Sequence, residues 1–365
     1  MAGTSSEILH PPKPRFTLRV GITGHGPTKL SGSRLQSTKL TLTRVFSAIE
    51  QASTEILRAN AAIYASEPPQ FRLVSGFDET DQAAILACSN GWLIEVILPF
   101  QKEGYFKDSA SATAASLKNV SSVTELPSQK PHRRDQGHIN ADSYLLRQID
   151  LLIAVWDDSP PKSGGIGAIT REANQGGIPV IWLSTAIDFL PRLITGFDDK
   201  GDPIPSDVDC TEGPLILALK PIFDGPSLDL GQFNRVPQDA LIGFYRETWR
   251  SYCYFTVYDF LTRVALIRKP RAVICARPFL DQCSDWDTFF HSAPSANNLV
   301  ERIRQVLLPR FVWADNLAIY FSHHYRSAYT LAYLLSAVAV FIGLGGAYAV
   351  NIEVVPVIRT DFPPR

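Results

Sequence analysis

Three glycines and one glutamate lie close together between Pro160 and Ser184, in the stretch PPKSGGIGAITREANQGGIPVIWLS. Gly164, Gly165 and Gly167 precede a run with helical spacing, and Glu172 lies about a turn inside it. Glycine lets the backbone approach a ligand closely, and unpaired N–H groups at a helix start attract anions, so phosphate is the natural guest. The same glycines would also serve a plain strand-to-helix loop. Glu172 likewise admits two roles. Near a helix start a carboxylate complements the helix dipole. Beside a bound phosphate-ribose it could bond ribose hydroxyls, or stabilise the oxocarbenium-like transition state of glycosidic cleavage.

Two further glycine turns have the same character. FTLRVGITG, from Phe16 to Gly24, is a predicted strand that runs into a turn containing Gly21, Thr23, Gly24, His25 and Gly26. FRLVSG is a second strand, ending at Ser75 and Gly76. His25 is either a turn residue or a contact to phosphate or base. Asp81 either opens the next helix or touches a ligand. Asp157 and Asp158 end a fourth strand, where a carboxylate faces either a ribose or solvent. The spacing after Gly165 is not that of a P-loop, since no GK[ST] follows, and GITGHG is not a GxGxxG fingerprint. No Ser/His/Asp order and no metal-ligand cluster is visible, and no cofactor is expected.

The elements that must position these turns alternate. Leu42, Val45, Phe46, Ile49, Ile56 and Leu57 recur at helical spacing within 34–60, ETDQAAILACSNG forms a helix closed by Gly91, and WLIEVILPF is a nearly all-apolar third strand. Residues 102–137 are Ser-, Ala- and Lys-rich and are expected to be a partly helical insertion. ADSYLLRQID is a short helix, LLIAVW a fourth strand and PVIWLS a fifth. Strands that are apolar throughout and alternate with helices predict an α/β fold: a Rossmann-like, doubly wound parallel sheet of about five strands. Its ligand would sit beyond the carboxyl ends of the strands, near the switch in strand order. That domain spans 15–185, followed by an irregular Pro-, Gly- and Asp-rich linking stretch, 186–237, and an aromatic helical connector, 238–326.

Composition narrows the functional classes. The chain has 365 residues, with 35 basic and 36 acidic side chains, so no whole-chain field points to nucleic acid. Its five cysteines are odd in number and form no CxxC pair, which fits a reducing compartment rather than a disulfide framework. The first 30 residues lack the apolar core of a signal peptide. From Ala328 to Ile352 there is no charged side chain. Twenty-five residues at helical rise span about 37 Å, enough to cross a bilayer of about 30 Å. A long buried helix is the alternative. His323, His324 and Arg326 precede this segment and few basic residues follow it, so the positive-inside bias places the N-terminal part in the cytoplasm.

These motifs resemble a known group. VGITGHG, LVSGFDETDQAA, IEVILPF with GYFKD, and SGGIGAITREANQGGIPVIWLS are similar to the SLOG superfamily, which includes Smf-type DNA-processing proteins and Lonely-guy phosphoribohydrolases. The likeness covers about 16–185, and HHYRSAYTLAYLLSAVAV resembles the start of the membrane segment of sensor-type members. The resemblance implies a Rossmann-like sheet whose glycine turns bind nucleotides or their derivatives. The phosphoribohydrolase motif PGGxGTxxE is matched approximately by Gly164, Gly165, Gly167 and Glu172. Ser163 replaces the proline, Ala168 replaces the threonine, Thr170 offers its hydroxyl instead, and Glu172 stands one residue late. Gly26 stands where relatives carry arginine, and Thr80 where they carry glycine. The arginine-rich catalytic helix of the hydrolases has no counterpart. Relatives continue beyond the first membrane helix, so a second span is expected to be missing from a chain that ends at Arg365.

Taken together, the sequence predicts a membrane-tethered sensor. Its expected ligand-binding residues are Gly21, Thr23, Gly24, His25, Ser75, Gly76, Asp81, Asp157, Gly164, Gly165, Gly167, Thr170 and Glu172. Its expected partners are a nucleotide-derived small molecule, a membrane and, for any pore, further copies of the chain, but not nucleic acid. The alternative is a membrane-anchored hydrolase of nucleotide N-glycosidic bonds with Glu172 catalytic.

Overall fold

The computed structural model describes residues 10–24, 33–76, 84–85, 88, 91–102, 120–127, 134–156, 165–184, 190–199, 201–210, 212–224, 238–248, 283–291 and 297–353. The chain forms two compact units, Lys13–Gly243 and a second built from Phe244–Arg365 with the first twelve residues.

The first unit is an α/β sheet of eight strands. They are β1 (Thr17–Gly24), β2 (Gln70–Ser75), β3 (Leu93–Leu98), β4 (Ser122–Glu125), β5 (Leu151–Trp156), β6 (Val180–Ser184), β7 (Arg192–Phe197) and β8 (Pro203–Asp209). Their order is β4-β3-β2-β1-β5-β6-β7-β8. The first six in that order are parallel, and β7 and β8 join antiparallel.

Alternation along the strands separates two cores. Leu18, Val20 and Ile22 of β1 join Leu151, Ile153 and Val155 of β5 on one face. There they meet Leu42, Val45, Phe46, Ile49 and Ile56 of α1 (Ser33–Ala59), spaced three and four apart. Leu215, Leu219 and Phe223 of α4 (Glu212–Phe223) pack beside them at i, i+4 and i+8. On the other face Leu152, Ala154 and Trp156 meet Ala141, Leu145 and Leu146 of α2 (Arg134–Leu146), and Ile169 and Ala173 of α3 (Ile166–Gln175). Helices therefore cover both faces, as strands apolar on both sides require.

Three strands and a helix depart from expectation. β4 lies inside 102–137, which was expected to be partly helical, and β7, β8 and α4 occupy much of the stretch expected to be irregular. The sheet thus has eight strands rather than five, and its unit extends to Gly243 instead of ending at 185. The physical reason is that these strands lie at the two ends of the sheet, with β4 and β8 its edges and β7 next to β8. β4 is the short polar SVTE, and β8 carries Pro203 and Pro205, which a central strand does not tolerate but an edge strand does. Of the helix expected over 79–91, Ala84 and Ile85 are helical and Ala84 is buried; the rest lies outside the described residues.

The second unit is helical where described: α5 (Gln238–Arg246, whose last residues belong to it), α6 (Asp287–His291), α7 (Asn297–Arg302), a π turn (Ile303–Leu307) and α8 (Leu308–Glu353). Most of the aromatic run 241–267 lies outside the described residues. Phe290, Leu308, Val312 and Trp313 form its core, flanked by Phe244, Trp286, Val300 and Ile303. α8 has 46 residues, about 69 Å at helical rise. The expected span, 328–352, lies within it. One helix, Leu299–Ala349, is long and apolar enough to cross a membrane, and none of its most apolar 18-residue window is buried. Tyr325, Tyr329 and Tyr333 stack along one side where that span begins, and the last two share a hydroxyl hydrogen bond of 2.8 Å.

At the amino end of β5, Asp150 accepts a 2.8 Å hydrogen bond from the Arg19 N–H while its own N–H donates to the Arg19 carbonyl. Burial pushes the Asp150 carboxyl above its ordinary value, more than the Arg19 N–H and the Arg19 charge pull it down. The fold thus favours the protonated acid, and that contribution is complete below about pH 4 and lost as pH rises through the folded pKa. Asp150→Asn keeps an acceptor without the charge. Its melting midpoint is expected to exceed that of the parent chain at pH 7, with the gap closing as pH falls through the folded pKa and gone below about 4.

Candidate functional site

Strand order reverses between β1 and β5. From β1 the chain winds outward through β2, β3 and β4, then returns to place β5 on the other side of β1. In open α/β sheets the crevice at the carboxyl end of such a pair accepts ligands, because the connections leave in opposite directions. Here that edge is set by register. Gly24 pairs with Val155, Ile22 with Ser75, and Trp156 with Ser184. Thr23, Gly24, Ser75, Gly76, Trp156 and Ser184 therefore stand at one rim.

α3 adds its N-terminus to that rim, because a crossover helix between parallel β5 and β6 starts on the carboxyl side. Gly165 is the N-cap, with extended backbone (φ −104°, ψ −176°) and no side-chain cap. Its carbonyl accepts from Ala168 N–H at 2.8 Å and Ile169 N–H at 3.2 Å. The first N–H groups of the helix have no acceptor within it. Gly165 is not held by conformation, since any residue adopts this φ. What it contributes is the absence of a side chain over those N–H groups. What these N–H groups offer an anion is backbone polarity and the helix dipole.

The expected site residues divide. Gly24, Gly76, Thr23 and Gly165 lie at the rim. Ser75 is there too but fully buried. His25, Asp81, Asp157 and Gly164 lie outside the described residues. Gly167 and Thr170 face the core from α3, with Ile169 and Ala173. The Thr170 hydroxyl donates to the Ile166 carbonyl at 2.6 Å, so it is spent inside the helix rather than offered outward. Glu172 is exposed on the opposite side of α3. It lies seven residues past Gly165, about 10 Å along the axis, and its one-residue displacement from the hydrolase motif turns it about 100° around the helix.

Two features were not anticipated. Trp156 ends β5 and Trp182 lies in the middle of neighbouring β6, with rings 6.3 Å apart, and Trp182 Nε1 donates to the Trp156 carbonyl at 3.3 Å. They form an apolar floor below the rim on the α2 and α3 face; tryptophan at the end of LLIAVW and within PVIWLS was the available signal. The other feature is at the far end of α3. Arg171 donates to the Gly201 carbonyl at 3.1 Å and lies 5.5 Å over the Phe197 ring, clamping the β7–β8 hairpin. A cavity of about 420 Å³ opens there between Arg171, Asn174, Gln175, Phe197, Asp198 and Gly201, away from the rim.

Other chemistries find little support among the described residues. No group of three His, Cys, Asp or Glu side chains is placed to hold a metal. Burial, reinforced by Glu50, pushes the Cys88 thiol up to about 12, and burial does the same to Cys210, so neither supplies a thiolate near neutral pH.

Gly21 is the clearest departure from a ligand role. It lies inside β1, and a Cβ there would fall 2.6 Å from Ile149 Cδ1 and 2.9 Å from Leu145 Cδ2. It is the packing position that lets α2 and the turn after it approach the sheet. Gly21→Ala is expected to destabilise the protein by about 1–3 kcal/mol through overpacking, measured as a lower midpoint in denaturant. A ligand-contact role would instead leave the midpoint unchanged.

Compared with protein-family models and with the sequences of curated proteins, the chain has no match in either.

Proposed function

We propose that the protein is a membrane-tethered sensor whose sheet unit, a Rossmann-like domain of the SLOG type, binds a nucleotide or nucleotide derivative at the rim between β1 and β5. The observation that carries this reading is the coincidence of the strand-order reversal with the uncapped start of α3 at Gly165. Backbone N–H groups and the helix dipole there favour a phosphate, and glycine leaves room for it. The tether is the exposed apolar part of α8. His323, His324 and Arg326 before the span favour a cytoplasmic sheet unit. A ligand acts on such a tether only through different affinities for two states of the chain. Several copies would be needed to enclose any pore.

Hydrolysis is the weaker reading because Glu172 faces solvent well down α3. The test is mass spectrometry of nucleotides that co-purify with the full chain in detergent micelles. Gly165→Asp puts a carboxylate over the helix start, and it is expected to weaken binding by about ten- to a hundredfold, the range of a charge-assisted hydrogen bond. A nucleotide retained by that variant places the site elsewhere. Incubation with nucleoside monophosphates or NAD is expected to leave them intact. Release of free base that is lost in Glu172→Gln would establish the hydrolase instead.

A further inference from the structure

From Asn297 to Glu353 the chain is one unbroken helix, but its hydrogen-bond step changes between Ile303 and Leu307, where it makes a π turn. The Leu308 N–H donates to the Ile303 carbonyl, five residues back. Pro309 follows. Proline has no N–H to give the carbonyl of Gln305, and its ring clashes with that carbonyl in a regular helix; a wider turn relieves the clash.

The wide turn decides which residues face the core. Ile303 and Leu308 are five apart, yet both lie in the cluster with Val312 and Trp313. With α-helical steps Leu307 would hold the place of Leu308, and Phe311 that of Val312. Leu307 and Phe311 are instead 59% and 50% exposed, against 7% and 2% for Leu308 and Val312. The sequence thus carries, offset by one residue from the buried stripe of Leu308, Val312, Trp313 and Leu317, a shorter apolar stripe of Leu307, Phe311 and Val312. The other already touches the cluster, since the Phe311 ring meets Trp286 edge-on at 5.3 Å. The upstream side is pinned: Arg304 pairs with Asp287 at 3.1 Å and lies 5.2 Å over the Phe290 ring.

We propose that the π turn is a register switch: when Ile303–Leu307 takes α-helical steps, Leu307 and Phe311 replace Leu308 and Val312 in the core and the downstream helix turns by one residue. One residue is about 100° of rotation and 1.5 Å of travel, carried by a continuous helix into the apolar segment. Pro309 holds the observed register. So do Trp313, whose fully buried place Val312 takes in the other register, and Asp315, which takes the fully buried place of Asn316, where an ionised carboxylate is unfavourable. The switch stands whether or not the sheet unit binds a nucleotide.

The test uses the full chain in detergent micelles, with cysteine introduced at 307 or 308 and maleimide labelling followed peptide by peptide by mass spectrometry. In the parent background Leu307→Cys is expected to label fast and Leu308→Cys slowly. Adding Pro309→Ala with Asp315→Asn is expected to narrow that difference, slowing Leu307→Cys and speeding Leu308→Cys. Removing the proline alone shifts the register ratio on the order of a hundredfold, equivalent to about 3 kcal/mol. Unchanged rates in the folded double variant overturn the proposal. Deletion of Val306 in the Pro309→Ala background supplies an independent arm. It removes the extra residue where no proline ring opposes α-helical steps, so the Leu308 face is kept and the second register is lost. Leu308→Cys should then label more slowly than with Pro309→Ala alone, which visits that register. Equal rates overturn the proposal even if the double variant does not fold.

Discussion

All six residues of β5 are buried, and a strand with no polar face must be covered on both sides and paired along both edges. That constraint organises the sheet unit. It demands one helical layer from α1 and α4 and another from α2 and α3. It puts β5 at the middle, between β1 and β6, and so fixes where strand order reverses. Full burial of one large aliphatic side chain contributes about 1.5–3 kcal/mol. This strand alone therefore supplies an amount comparable with the net stability of a domain, about 5–15 kcal/mol. The candidate site is a by-product of that core. Its rim is where the buried strands run out and the chain must leave in two directions.

The central elements were legible for the same reason. LLIAVW and the Leu42–Ile56 spacing carry their burial in residue type, and both formed as expected. β4, β7 and β8 were not legible, because strands at the ends of the sheet are half solvated and carry no apolar period; proline in β8 even argues against a strand. At the site, spacing located the start of α3 but not the direction its side chains take. Thr170 and Glu172 are two residues apart, about 200° around a helix. One is consumed by the core and the other turns to water. A motif match that slips by a single position keeps its composition and loses its geometry. Gly21 shows the converse, a glycine whose surroundings, not its own conformation, explain it.

α8 performs two physically different tasks without a break. Its first residues, Leu308, Val312, Trp313 and Leu317, pack like a soluble amphipathic helix. Farther on the helix is apolar on every side, and none of its most apolar window is buried among the described residues. The stacked tyrosines mark the change, with amphipathic rings suited to the boundary between headgroups and hydrocarbon. Because the backbone is continuous, twist applied at the packed end is not absorbed by a loop before it reaches the lipid-compatible end.

The completeness of β5's burial also matters before the protein has folded. LLIAVW is six residues long, uncharged, rich in branched side chains and free of proline, the composition of a segment that stacks with copies of itself into cross-β fibres. It is bracketed in sequence by Asp150 on one side and by Asp157 and Asp158 on the other. Flanking charges of this kind act as gatekeepers, since stacked identical chains would bring like carboxylates into line. Asp150 is disfavoured by its surroundings in the finished fold. Its value lies in the nascent chain emerging from the ribosome, where it keeps the stickiest hexapeptide of the sheet from meeting its own kind.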